Sequence, residues 1–491
     1  SGDIVIEKSI ASGAGASLLT KIGEGTVVLT SPLNNWSGGT TISDGVLQVG
    51  DGTSNGTIGS GTITLTNGRL AFNRVNPYTV AETFASFQDG TTPGIENNGA
   101  GLLTVNASNL GFTIGSNGIT LELGGTGDGV VDGPIANGGA AANILKDGVG
   151  TWTFNDPETN YSGSTTINAG TLEITGRLGK GTYAQSIVNN ADLKINTTSA
   201  QTLSGVISGT GELIKENTGT LTLSDTSTYD GNTTVSDGKL LISGALAGSN
   251  GTYAGDLVNN AEVEVNSATN QTYAGALSGN GDWIKDGSGT WTWDGANTST
   301  GDLTVKGGSL RINENSSVPT GDIYVLNGAL EFNRSSDTTF DSKFYIAGEG
   351  SAPTFLNNGT GLVTVAPGDV SNIGVDNGEP FTIGGSGDIR LEKSVASGAN
   401  AALLTKVGTG TVTLVSSANN YSGGTTISEG VLQVGDGTND GTIGSGLITI
   451  TNGRIAFNRP NPYTVTESFV TFAVGTTPGI ENNGAGLLTV N

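Results

Sequence analysis

The 491-residue chain contains no cysteine, no histidine and no methionine, and only 12 prolines. Lack of cysteine excludes disulfides, thiol nucleophiles and thiolate metal sites, so an exported form must be held together by its core alone. Lack of histidine removes the side chain that most often serves as a base near neutral pH and as a nitrogen ligand to metals. Basic residues are also scarce: 20 Lys and Arg stand against 44 Asp and Glu, a net charge of −24. That balance disfavours nucleic acid and anionic membrane as partners, and it favours solubility through self-repulsion. No apolar run is long enough for a membrane-spanning helix, and no basic-then-apolar secretory leader is visible.

What is abundant is glycine, at 82 residues, together with Thr, Asn, Ser and Asp. Disordered low-complexity chains share that glycine content but lack alternating apolar positions, which are present here. The pattern is one of many short strands punctuated by Gly and Asn turns.

Residues 1–106 return at 386–491, an offset of 385 without insertion or deletion, and most paired positions are identical. Self-similarity of this kind marks a repeat architecture. The absence of Met at position 1 and the stop within a repeat at Asn491 lead us to expect a segment of a longer chain. Within the long period a shorter motif recurs: a Lys, a Gly-x-Gly-Thr strand, a polar turn with Tyr or Trp, a Thr-rich strand, and Gly-x-Leu-x-Val or Ile. Its lysines are Lys21, Lys146, Lys215, Lys285 and Lys406, separated by 125, 69, 70 and 121 residues. The repeat units then run over about 21–145, 146–214, 215–284, 285–405 and 406–491 of one continuous segment, 1–491, with no Pro-rich or charged linker between them.

Comparing the copies separates inside from outside, because successive strand residues face opposite ways. Leu47/Val49, Leu172/Ile174, Leu240/Ile242, Leu310/Ile312 and Leu432/Val434 stay apolar while the residues between them vary among polar types. Val27/Leu29, Trp152/Phe154, Leu221/Leu223, Trp291/Trp293 and Val412/Leu414 behave alike, so these positions face inward. A propeller needs one blade length near 40–50 residues, which spacings near 70 and 123 do not share. Both divide into coils of roughly 20–25 residues, about three and about five or six of them, as a parallel β-helix requires. The fold class expected is all-β, a parallel β-helix or β-solenoid.

The run Leu19-Thr20-Lys21-Ile22-Gly23-Glu24-Gly25-Thr26-Val27-Val28-Leu29, followed by residues 35–49, Asn-Trp-Ser-Gly-Gly-Thr-Thr-Ile-Ser-Asp-Gly-Val-Leu-Gln-Val, closely resembles the passenger-associated transport repeat, also called the autotransporter-associated β-strand repeat. Residues 406–434 match as well, 143–174 nearly so, and the copies at Lys215 and Lys285 more loosely, with Ser299 where others carry Trp36, Tyr161, Tyr229 or Tyr421. The resemblance implies a right-handed helix, a stalk in a large bacterial surface or secreted protein, often an adhesin, and a repeat tied to export rather than catalysis. No outer-membrane barrel segment lies in 1–491.

Each chemical candidate has a plainer explanation beside it. The aromatic series Trp36, Tyr161, Tyr229 and Tyr421 suits either stacking on sugars or packing over a corner of the coil, and corner packing is the expectation. Acidic turns such as 50–53 and 127–133 suit weak Ca²⁺ binding or, more commonly, capping of their own backbone. A β-helix enzyme acting on polysaccharide needs a convergent pair of carboxylates or a base with a cationic clamp, and should break the repeat symmetry once. Glu7/Lys8 and Glu392/Lys393 merely recur. Outward Thr151, Thr153, Thr220, Thr222, Thr290 and Thr292 suggest an ice- or surface-binding ladder, which lapses at Val28.

The expectation is therefore a structural extracellular fibre, stalk or coat at a bacterial surface. No catalytic, cofactor-binding or metal residue is assigned, and no cofactor beyond weak Ca²⁺ in acidic turns. The expected partners are further copies or coils joined end to end, and host or neighbouring-cell surfaces or glycans.

Overall fold

A computed structural model describes residues 2–87, 92–106, 119–135, 141–346, 353–368, 372–375, 380–397, 401–470 and 478–491. The chain falls into two compact units, one formed by 1–241 with 246–250 and the other by 242–245 with 251–491. Each unit is a parallel β-solenoid. The described residues contain short strands, one 3₁₀ turn at Leu178–Gly181, and no helix long and apolar enough to cross a membrane.

In the first unit, strands stack coil upon coil into parallel columns. One column runs through Thr26–Leu29, Val46–Val49, Arg69–Phe72, Gly94–Asn97, Ile119–Gly124, Ala142–Lys146 and Thr165–Ile167. A second contains Leu19–Lys21, Thr40–Ile42 and Ile63–Leu65. A third contains Tyr78–Val80, Leu103–Asn106, Gly129–Asp132, Thr151–Phe154, Thr171–Ile174, Asp192–Asn196, Glu212–Glu216 and Thr233–Val235. The second unit is built likewise, for example through Gln271–Tyr273, Thr290–Trp293, Ser309–Asn313, Ala329–Asn333, Thr354–Asn357, Phe381–Gly384 and Leu404–Val407.

The register sets the coil length, and that length varies to either side of the expected one. The pairing of Trp291 with Leu310 closes a short coil, and that of Leu193 with Leu213 closes one only slightly longer. Much longer coils carry Ile95 to Leu123 and Phe355 to Ile383, and they exceed what the motif spacing predicts. The core is the set of inward columns. Leu47, Val49, Leu172, Ile174, Leu240, Ile242, Leu310, Ile312, Leu432 and Val434 are all fully buried, as are Trp152, Leu221, Trp291, Trp293 and Val412. Val27 alone among the inward positions named above is only half-buried, because its neighbour on one side is the largely exposed strand Ile4–Ile6. Each fully buried side chain of this size contributes about 1.5–3 kcal/mol relative to exposure.

The unequal spacings of the motif lysines have a definite meaning in this geometry. Tracing the register back from Lys146 leads through Leu123, Ile95, Leu70 and Leu47 to Val27, not to Lys21. From Lys215 it leads through Ile195 and Ile174 to Phe154. From Lys406, in the second unit, it leads through Ile383, Phe355, Leu330 and Leu310 to Trp291. Each of these later motifs thus advances by three or five whole coils and one further strand. Its lysine strand joins the column that the earlier motif's Gly-Thr strand occupies.

Candidate functional site

The recurring polar positions of the motif are the natural place to look for a site, and the lysines come first. Lys146, Lys215, Lys285 and Lys406 are at most 1% exposed, and Lys21 is 5% exposed. Their place in the register is that of inward apolar residues: Lys146 sits beside Leu123, and Lys215 beside Ile195. An isolated ammonium there would carry a large desolvation cost. Each instead points along the core edge into a corner where three main-chain carbonyls meet.

Lys146 Nζ donates to the carbonyls of Asp147 at 3.3 Å, Gly148 at 2.6 Å and Ala169 at 2.7 Å. Lys406 Nζ donates to those of Val407 at 2.9 Å, Gly408 at 2.6 Å and Glu429 at 3.2 Å. Lys21 reaches Ile22, Gly23 and Asp44, Lys215 reaches Glu216, Asn217 and Asp237, and Lys285 reaches Asp286, Gly287 and Gly307. Three N–H donors therefore meet three acceptors, two from the lysine's own turn and one from the next coil.

The local sequence builds this cage. The second residue after each lysine is Gly23, Gly148, Asn217, Gly287 or Gly408, all with φ between +61° and +75°, which carries the preceding carbonyls round toward Nζ. The third acceptor is the carbonyl just before Gly45, Gly170, Gly238, Gly308 or Gly430, again at positive φ. A Cβ on Gly430 would stand 2.8 Å from Lys406 Nζ and 2.4 Å from the Gly408 carbonyl oxygen, so the position admits only glycine. Burial pushes the Lys146, Lys285 and Lys406 amines down to about 8, and that of Lys215 downward too. The surrounding carbonyls favour the ammonium, and at pH 7 the Lys146, Lys285 and Lys406 amines are protonated.

The aromatic positions form a second recurring corner. Trp36, Tyr161, Tyr229 and Tyr421 are 0–2% exposed. Trp36 Nε1 donates to the Thr40 hydroxyl at 3.1 Å. Tyr161, Tyr229 and Tyr421 each share a hydrogen bond with the hydroxyl four residues on, Thr165 and Thr233 at 2.7 Å and Thr425 at 3.0 Å. Rings buried in this way are closed to sugar, and the corner-packing expectation holds. In the fourth copy Ser299, 1% exposed, bonds Asn297 Oδ1 at 2.6 Å instead. Buried asparagines close other corners: Asn357 donates to the carbonyls of Gly361 and Asp388 at 2.7 and 2.8 Å, and Asn97 does the same with Gly101 and Asp128.

The profile of the passenger-associated transport repeat matches at residues 19–49, 144–174, 213–242, 284–312 and 404–434. These spans hold the five lysine corners. The chain carries five passenger-associated transport repeats. It is also 28% identical over 269 residues to the adhesin BmaC autotransporter of Brucella suis biovar 1 (strain 1330), a match covering 48% of this chain and 7% of that relative. No solved structure matches it.

The remaining candidates, the acidic turns outside the matched repeats and the Thr rows within them, take ordinary places. Asp51 Oδ1 accepts from Thr53 N, Thr53 Oγ1 and Ser54 N at 2.9, 2.8 and 2.6 Å, and these bonds hold its carboxyl down at about 2. Asp436 repeats the turn with Thr438 and Asn439. Asp128 accepts from the Thr151 N–H of the next coil at 2.9 Å. Asp51 and Asp436 thus cap their own turns, while Asp128 caps a backbone N–H of the next coil. Thr151, Thr153, Thr220, Thr222, Thr290 and Thr292 lie half-buried on outward rows, and Glu173 accepts from Thr153. The lysine cages were legible as a spacing but not as a burial, because the third acceptor sits on the following coil and meets the amine only once the coils stack.

Proposed function

We propose that this passenger-repeat chain is a length of structural stalk at a bacterial surface, serving adhesion by holding other parts of a longer protein away from the cell. The matched stretch of the Brucella relative is a small part of a protein named as an adhesin autotransporter, and that name supports surface display and a non-enzymatic role here. The observation that carries the reading is the use made of the motif's polar groups. Lysine ammonium, aromatic hydroxyl or indole, and asparagine amide all turn inward onto main-chain and Thr partners. The lysine recurs in all five copies and the aromatic in four, and groups that bond to the coil itself hold coils together, whereas a catalytic centre would gather side chains toward an open cleft.

Length is added by the same logic. A coil that buries its face against an identical neighbour can be duplicated without redesign, and end-to-end continuation leaves no unpaired edge between coils. Electron microscopy of the native surface material tests this. Thin filaments with an axial spacing of about 4.8 Å, the distance between hydrogen-bonded strands, are expected. A compact particle with a single cleft would reject the stalk and reopen polysaccharide cleavage.

A further inference from the structure

Within the second unit one outward row departs from the repeat. The column Asp282–Asp286, Leu303–Val305, Ile323–Val325, Phe344–Ile346 and Asn372–Val375 places Ile284, Thr304, Tyr324, Tyr345 and Gly374 side by side. Tyr324 and Tyr345 stack nearly parallel, with centroids 5.0 Å apart and planes 10° from coplanar. Both rings are only half-buried, whereas the stacked pairs Phe72–Tyr78 and Phe332–Phe340 each hold a buried ring. The equivalent sequence positions are Thr64 and Ala85 in the first long segment and Thr449 and Val470 in the last. The pair therefore breaks the internal symmetry once.

From this row we infer a carbohydrate subsite whose ligand is an uncharged, β-linked pyranose stacked on the Tyr345 and Tyr324 rings. The next strand pairs Gly374 with Tyr345 in register. A pyranose with equatorial substituents presents a flat patch of C–H groups that fits such a platform, and its hydroxyls then lie at the rim. Polar partners wait there in the adjoining row. Asp322 Oδ2 lies 3.4 Å from the Tyr324 hydroxyl and 3.8 Å from Lys343 Nζ, while Asp302 Oδ1 accepts the Asp322 N–H at 2.8 Å. Two carboxylates beside the platform, on a chain of net charge −24, repel uronates and sulfated sugars. Cross-strand aromatic pairing alone would stabilise the sheet, but it would serve equally at the two equivalent places, where no rings stand.

The inference goes beyond the stalk reading, whose filament test is independent of it. Saturation-transfer difference NMR on the full 491-residue chain would use cellohexaose and chitohexaose as probes and hexagalacturonate as the anionic comparison. We expect transfer to the ring C–H protons of a neutral hexamer. Tyr345→Ala should weaken that binding about three- to tenfold, whereas Tyr345→Phe, which keeps the ring, should preserve it. Both side chains face outward, and circular dichroism verifies that each variant keeps the wild-type fold. Absence of transfer from both neutral hexamers overturns the assignment. So does undiminished transfer in the folded alanine variant, or transfer confined to hexagalacturonate.

Discussion

A lysine in the core column of a solenoid is unexpected until its donors are counted. The side chain spans the half-buried edge of a coil with its methylenes and delivers three N–H groups to three main-chain carbonyls. Its replacement by methionine keeps the volume but removes the ammonium from the Gly408 and Glu429 carbonyls of the Lys406 corner, while the Val407 carbonyl keeps the Gly385 N–H at 3.1 Å. Lys406→Met is expected to cost about 1–3 kcal/mol, the range for leaving buried polar groups unsatisfied. Chemical denaturation compared with wild type measures this, and an unchanged midpoint would show that the cage contributes nothing. The indoles are used differently. All five tryptophans are fully buried, and the ring nitrogens of Trp283, Trp291 and Trp293 have no hydrogen-bond partner. Edge-on ring contacts, such as Trp291 against Trp293 at 90°, surround them instead. Native fluorescence should accordingly be blue-shifted and move red on unfolding. Native emission at the wavelength of free indole in water would contradict this burial.

Strands and corners succeed each other so closely that one glycine joins them. Gly170 has φ +64°, and a Cβ there would stand 2.6 Å from the carbonyl oxygens of both Gly148 and Gly150. Gly170→Ala meets unfavourable backbone and backbone contact together, and a loss of more than about 1 kcal/mol is expected by the same denaturation assay. Two residues on, Leu172 is fully buried between Trp152 and Leu193. Leu172→Asp puts a charge into that column, and hydrogen exchange should show protection lost over 151–154, 171–174 and 192–196. Protection retained there would mean that Leu172 does not face inward. Coils contact mainly their neighbours, so the second unit's amides should keep their protection.

For the chain as a whole, alkaline pH is the informative axis, because buried lysines and tyrosines shift in opposite directions. The Lys146, Lys285 and Lys406 amines fall from 10.5 to about 8 on folding, driven by burial. Between those values the unfolded chain holds more protons than the folded one, so stability rises with pH. Burial raises the Tyr183 and Tyr421 phenols from 10.0 to about 12, and that of Tyr161 as well. From about pH 10 to about pH 12 the unfolded chain sheds protons that the folded chain keeps, and stability falls. A maximum near about pH 10 is expected in thermal unfolding followed by circular dichroism. A steady decline from neutral pH upward would refute the lysine half of the argument. The placement of the motif matters at this scale too. In the first unit the lysine strands of its three passenger repeats occupy three different columns, so their corners do not form one recognition stripe. That arrangement fits a role inside the coil stack.

Much of this was already determined by the sequence. Alternation of Leu and Val or Ile with variable polar residues separated the inner from the outer face, and Leu172, Leu310 and Leu432 are buried where that alternation places them. The spacings implied coils, and the motif itself identified the repeat, because period-two patterning and turn glycines are local properties of the chain. Tertiary structure alone decided which polar groups go inside. Lys146 reads as a solvated charge until Ala169, on the next coil, brings its carbonyl to 2.7 Å. Tyr324 and Tyr345 read as two unrelated strand residues until the register sets their rings face to face. Alternation is set within one strand, whereas a hydrogen bond or ring stack between coils depends on the register of two strands a full coil apart. The length of each intervening corner determines that register, and corners here vary enough that Trp291 meets Leu310 across a short coil while Ile95 meets Leu123 across a much longer one.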